Sequence, residues 1–90
     1  MLSITPTAAT VIRSLTLEAE LPEQAGLRLA RDAEHRSLSM ALVPRPRQGD
    51  LTVFGRNARV FVGAELQAQL DELTLDADIR GGTRRFFLHE

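Results

Sequence analysis

Ninety residues with 43% apolar content describe a single domain, 1–90, of ordinary globular composition. Such a chain buries roughly 60 to 70% of its unfolded surface and is small enough for self-association to be a natural supplement. A formal net charge of -1 gives no global attraction to nucleic acid or an anionic membrane, and the lack of cysteine excludes a disulfide, a thiol nucleophile and any thiolate ligand.

All eleven basic residues are arginine. GC-rich coding explains that bias more simply than selection for bidentate contacts. The start, "MLSITPTAAT", lacks the charged and apolar regions of a signal peptide, and no apolar run approaches the roughly 20 residues of a membrane span. The expected location is the cytoplasm.

In chain order, Thr5 is placed to cap a helix and Pro6 to open it, since the missing N–H of proline costs nothing in the first helical position. The helix is predicted from Pro6 to Glu20, with Ala8, Ile12, Leu15 and Ala19 on its core face. Pro22 and Gly26 break it. "GLRLAR" then alternates as a half-covered strand, and "SLSMALV" alternates again with Leu38, Met40 and Leu42 on one face.

Between these strands the connection "RDAEHRSLS", Arg31 to Ser39, gathers Asp32, Glu34 and His35 with Arg31 and Arg36. A metal site, an anion site and a solvated loop are all open readings of it. "PRPRQGD" is a loop, because its prolines cannot donate within a sheet. "LTVF" and "ARVFV" flank "GRN", where Gly55 and Asn57 suit a tight hairpin. "GAELQAQLDEL" sets Leu66, Leu70 and Leu73 at helical spacing. In "LTLDADI", Leu75, Ala77 and Ile79 alternate against Thr74, Asp76 and Asp78, and "RGGTRRFFLHE" adds a glycine turn and a closing strand.

The order "ITPTA", "AGLRLA", "GD", "RVFV", "LDELTLD" and "GG…FFL" resembles the A-type iron–sulfur carriers, the HesB/IscA-like family, from about Ser3 to Leu88. That resemblance implies an α+β fold, compact, of mixed β-sheets with an N-terminal helix and a short second helix, usually in dimers or tetramers. It also implies one ligating cysteine in a glycine-rich loop after the "GLR" strand and a Cys-Gly-Cys tail beyond the last strand. Here His35 or Arg36 stands nearest the first position, the loop glycines are gone, and "FFLHE" precedes any such tail. Gly63 replaces the family's usual Asp in "VFVG". Two histidines with scattered carboxylates are a poor substitute for soft sulfur donors. The usual carrier chemistry is therefore expected to be absent, with no cofactor held.

Other sites weigh less. Asp32, Glu34 and His35, joined across a dimer by His89 or Glu90, could hold a hard or borderline metal, against a solvated loop in which the arginines offset the acids. Arg80, Arg84 and Arg85 with Arg45 and Arg47 could form an anion or RNA patch, but read better as a solvated basic edge that discourages sheet-to-sheet aggregation. Of the adjacent Phe86 and Phe87, one should enter the core. Ser37, Ser39, His35 and Asp32 match no nucleophile motif, so no catalytic residue is assigned and the protein is expected not to be an enzyme. The face bearing Asp76 and Asp78 reads as solvent-exposed. The expectation is an accessory or interaction protein related to iron–sulfur assembly, a homodimer on grounds of size and resemblance, with protein partners, no membrane and no nucleic acid; a metal-binding protein using His35 and nearby carboxylates and a module unrelated to iron are the alternatives.

Overall fold

The computed structural model describes residues 1–32, 34 and 37–90. Two sheets enclose the core. β1 (Ser3–Ile4), β6 (Thr74–Arg80) and β7 (Thr83–His89) form a three-stranded sheet in the order β1-β6-β7. β2 (Gly26–Asp32), β3 (Ser37–Val43), β4 (Leu51–Gly55) and β5 (Ala58–Val62) form a four-stranded sheet in the order β3-β2-β5-β4, with β2 parallel to β5 and the outer pairs antiparallel. The mixed sheets and the two short helices are the α+β arrangement expected.

α1 (Pro6–Glu18) starts as predicted: the Thr5 hydroxyl accepts the Ala8 N–H at 3.1 Å. It buries Ala8, Ala9, Val11 and Ile12, a wider arc than the predicted stripe, because it packs against β6 of one sheet and β5 of the other. Its end differs from the expectation. Leu21 N–H reaches Thr16 O and Glu20 N–H reaches Leu17 O, with Glu20 in the left-handed region at φ 55°. This is the closing pattern that usually recruits glycine, and it stops the helix at Glu18 and leaves Ala19 exposed.

Leu27, Leu29, Val53, Val60 and Val62 meet Ile12, Leu66 and Leu75 in one cluster. Gly26 lets β2 pass beside β5, since a Cβ there would lie 2.4 Å from Arg59 O. The β4–β5 hairpin forms as predicted, but its left-handed residues are Arg56 and Asn57, while Gly55 pairs with Ala58 inside the ladder. Two-residue turns with both φ positive match the twist of their strands, and Gly81 and Gly82 repeat the device between β6 and β7.

Three further elements depart from the sequence reading. β1 was not predicted, and pairs parallel with Thr74 and Leu75. The second helix is a 3-10 turn, Ala64–Leu66, followed by α2 (Gln67–Leu70), which buries Leu66 and Leu70. Ile79 is 57% exposed although it alternates with core residues, because it sits near the hairpin end of β6 opposite Arg84. Phe86 packs on the core and Phe87 faces outward, as adjacent strand residues must.

The left-handed Glu20 yields a prediction. Glu20→Gly removes the strain of a side chain at positive φ and should stabilise the protein by about 0.5–1 kcal/mol, read as a higher urea midpoint with unchanged slope; a lower midpoint would contradict this account of the helix end.

Candidate functional site

The site to be judged is the end of the molecule where the β2–β3 hairpin closes. β3 begins at Ser37 as expected and β2 runs one residue further than expected, to Asp32, pairing Arg31 with Leu38 and Asp32 with Ser37. Arg31 and Asp32 therefore belong to one strand, and Ser37 and Ser39 to the next. His35 and Arg36 lie outside the described residues. The Glu34 N–H donates to the Asp32 carboxylate at 3.0 Å, the ordinary way a carboxylate tightens a turn.

α2 and the turn before it support the hairpin from the side. The Arg31 guanidinium donates to Gln69 Oε1 at 2.8 Å, and the Arg31 N–H donates to Glu65 Oε1 at 3.2 Å. Its own N–H and that of Arg31 hold the Glu65 carboxyl below the usual range. Gln69 then lines two clefts. One, of about 230 Å³, also takes in Arg31, Ser37 and Leu38. The other, of about 430 Å³, takes in Asp71, Glu72 and Glu90. Thus the closing end of the hairpin and Glu90 after β7 both lie beside α2.

His89 is held elsewhere. On the outer face of the three-stranded sheet its Nε2 stands 3.4 Å from Asp76 Oδ2, and its ring lies against Phe87 at 5.9 Å between centroids. Asp76 is more than a solvated acid: its Oδ1 accepts the Thr5 hydroxyl at 2.7 Å and the Ala77 N–H at 2.8 Å. The Thr5 hydroxyl, with the Ala77 N–H and His89, lowers its pKa. The expectation of a plainly solvent-exposed face is corrected at this residue, because the alternating pattern could not show that Thr5 arrives beside it.

Among the described residues, no group of three histidines or carboxylates converges as a metal site. The five arginines of the suggested patch are divided between the sheets. Arg84 forms a two-pronged pair with Glu18 at 2.6 and 2.8 Å, and Arg80 stands 3.5 Å from Asp78. Arg45 and Arg47 lie in the connection before β4.

The residue that sequence reasoning undervalued is Asp50. Its carboxylate takes Arg28 Nε at 2.8 Å and Nη2 at 2.9 Å, and the Arg47 N–H at 2.9 Å. The Asp50 side chain is only 2% exposed. The Arg28 guanidinium beside it holds its carboxyl below the ordinary carboxylate range. "GLR" and "GD" carried the signal, but nothing local says that they meet.

An iron–sulfur cluster does not fit the donors around the hairpin base. They are carboxylate, amide and hydroxyl oxygens with the Arg31 cation among them, where a cluster needs thiolates.

Solved structures nevertheless match nearly the whole chain. Escherichia coli SufA, involved in biosynthesis of iron–sulfur clusters, is 28% identical, with a TM-score of 0.80 over 98% of this chain and 83% of its own. IscA, solved with a 2Fe-2S cluster, is 20% identical, with a TM-score of 0.75 over 99% of this chain and 84% of its own. A protein from Aquifex aeolicus is 15% identical, with a TM-score of 0.77 over 99% of this chain and 90% of its own. No protein-family model and no curated protein matches. The chain has the fold of the A-type iron–sulfur carriers SufA and IscA, in a sequence without cysteine.

Arg28→Met leaves the Asp50 carboxylate buried without its partner and should cost about 3 kcal/mol. Folding weakens proton binding by Asp50, so the unfolded chain takes up its proton first as pH falls. The pair's contribution is complete above the unfolded value of about 3.9 and is lost as pH drops through the lower folded value. Urea midpoints measured between about pH 6 and pH 2 should fall with pH in the wild type. The fall should be shallower in Arg28→Met; parallel curves would show that the pair does not carry it.

Proposed function

We propose that this protein is a cysteine-less counterpart of the A-type carriers that acts by protein–protein contact within or beside iron–sulfur cluster assembly, in the cytoplasm, without ligating a cluster or catalysing a reaction. The observation that carries this reading is the combination of a near-complete match to SufA with the lack of any cysteine. The fold survives while its soft donors are gone.

One feature of the structure supports an interaction role. The hairpin end is braced by Arg31, Glu65 and Gln69, so a partner would meet a preorganised surface at the place where the carrier resemblance puts a ligand. Among the described residues no helix is long and apolar enough to cross a membrane. Partners in this reading are assembly proteins or a cysteine-containing relative, recognised by shape and by the mixed charge of this end.

Anaerobic reconstitution of the purified protein with iron and sulfide, followed by absorbance and metal analysis, tests the reading, with His35→Ala in parallel. A colourless, metal-free product is expected from both. A coloured, stoichiometric product lost in His35→Ala would overturn it in favour of metal chemistry through non-thiolate ligands. A pulldown that recovers no assembly protein would remove the partner half of the proposal.

A further inference from the structure

A third cleft, of about 220 Å³, opens between the second half of α1, the connection that follows it and the β4–β5 turn. It is a consequence of how α1 ends. Ile12, Arg13, Thr16 and Leu17 recur at helical spacing along one flank, and the left-handed turn at Glu20 brings Leu21 and Pro22 back beside them. The buried Ile12, Ala25 and Ala58 line the cleft with Leu21 and Pro22, and Leu17, 78% exposed, extends its apolar surface outward.

Two guanidiniums border this apolar space. Arg13 donates through Nη1 to Arg56 O, tying α1 to the hairpin turn, and through Nη2 to the Thr10 hydroxyl at 3.4 Å. Arg59 donates through Nη1 to Glu23 O at 3.0 Å, tying β5 to the connection after α1, and its Cζ stands 5.0 Å from the centroid of the Phe54 ring. Arg56 behind them donates to Ile4 O at 3.1 Å. Backbone carbonyls thus position three arginines without neutralising them. Arg28 and Arg84 have Asp50 and Glu18, whereas among the described residues none of Arg13, Arg56 and Arg59 forms an ion pair.

The lining defines its complement. Glu23 is the acid among the lining residues, so it and the two arginines leave one net positive charge at the cleft. A planar two-oxygen anion matches the fork of a guanidinium whose other N–H groups remain open. The volume is below the roughly 300–1,000 Å³ that holds a drug-sized ligand, so the occupant is compact. Holding both arginines in place beforehand reduces the ordering cost of binding.

We infer that this cleft is a binding site for a compact apolar monocarboxylate, with its hydrocarbon or aromatic part against Ile12, Leu17 and Leu21 and its carboxylate at the bordering guanidiniums. A free acid and the terminal residue of a polypeptide offer the same chemistry. The site stands on this cleft alone, independently of any role in iron–sulfur assembly.

Titration of the wild-type protein with phenylacetate, followed by amide chemical shifts, tests it. Saturable shifts should concentrate in residues 12–17, 21–25 and 57–59, with a dissociation constant of about 1 mM or tighter. Phenylacetamide keeps the shape without the charge, acetate keeps the charge without the ring, and each should bind about tenfold more weakly or worse. These arms require no variant to fold. Arg13→Met and Arg59→Met retain the aliphatic stem, and at least one should weaken phenylacetate binding about tenfold. An acetylated Gly-Gly-Phe peptide with a free carboxylate separates the sources: tighter binding than phenylacetate supports the site as a chain-end receptor, and weaker binding supports it as a site for a free acid. Absence of saturable shifts at these residues, equal binding of phenylacetamide or acetate, or wild-type affinity in both folded variants would each overturn the inference.

Discussion

The arrangement of the four-stranded sheet depends on the pairing of Arg28 with Asp50. The chain leaves β3 at one edge and must enter β4 at the opposite edge, crossing the two strands between them. That crossing, residues 44–50, contains two prolines and an exposed run with no strand to hold it. Its end is fixed by one carboxylate that receives both prongs of a guanidinium on β2, and by Gln67, whose amide donates to Gly49 O at 3.2 Å. A buried ion pair is poor evidence of net stability, but its geometry specifies which ends meet. Here it ties the chain entering β4 to a central strand, beside the ladders that order β2, β5 and β4.

Much of the fold was legible in the sequence, for reasons particular to each element. Thr5 and Pro6 mark a helix start through purely local chemistry, and β6 shows strict alternation because one face is buried. The turn at Gly81 and Gly82 is equally local. What was not legible depended on distant partners. β1 is a strand only because β6 lies beside it, and α1 ends early because the chain turns at Glu20 in a conformation that glutamate does not advertise. β3 reads like a half-buried strand, yet its position at the edge leaves Leu38 exposed, and periodicity cannot distinguish an edge from a centre.

The candidate site was less legible than the fold. The charged connection left converging ligands open as a reading, whereas β2 continues into it as far as Asp32, which pairs with Ser37. His89 read as a free ligand and instead stands beside Asp76. The core residues Leu29, Val60 and Val62 lie away from the hairpin tip. Packing and ligation are thus separate demands on the sequence, which is why a chain without sulfur donors can hold this architecture.

Thr5 joins distant parts of the chain in time as well as in space. Its hydroxyl both caps α1 and donates to Asp76, a residue 71 positions later. During synthesis the helix segment emerges well before the strand that fixes its cap. Closing so long a loop is entropically unfavourable until the intervening strands have collapsed. The helix α1 should therefore remain loosely formed on the ribosome and become rigid only when β6 docks, so that emergence of β6, rather than of α1, sets the moment of folding.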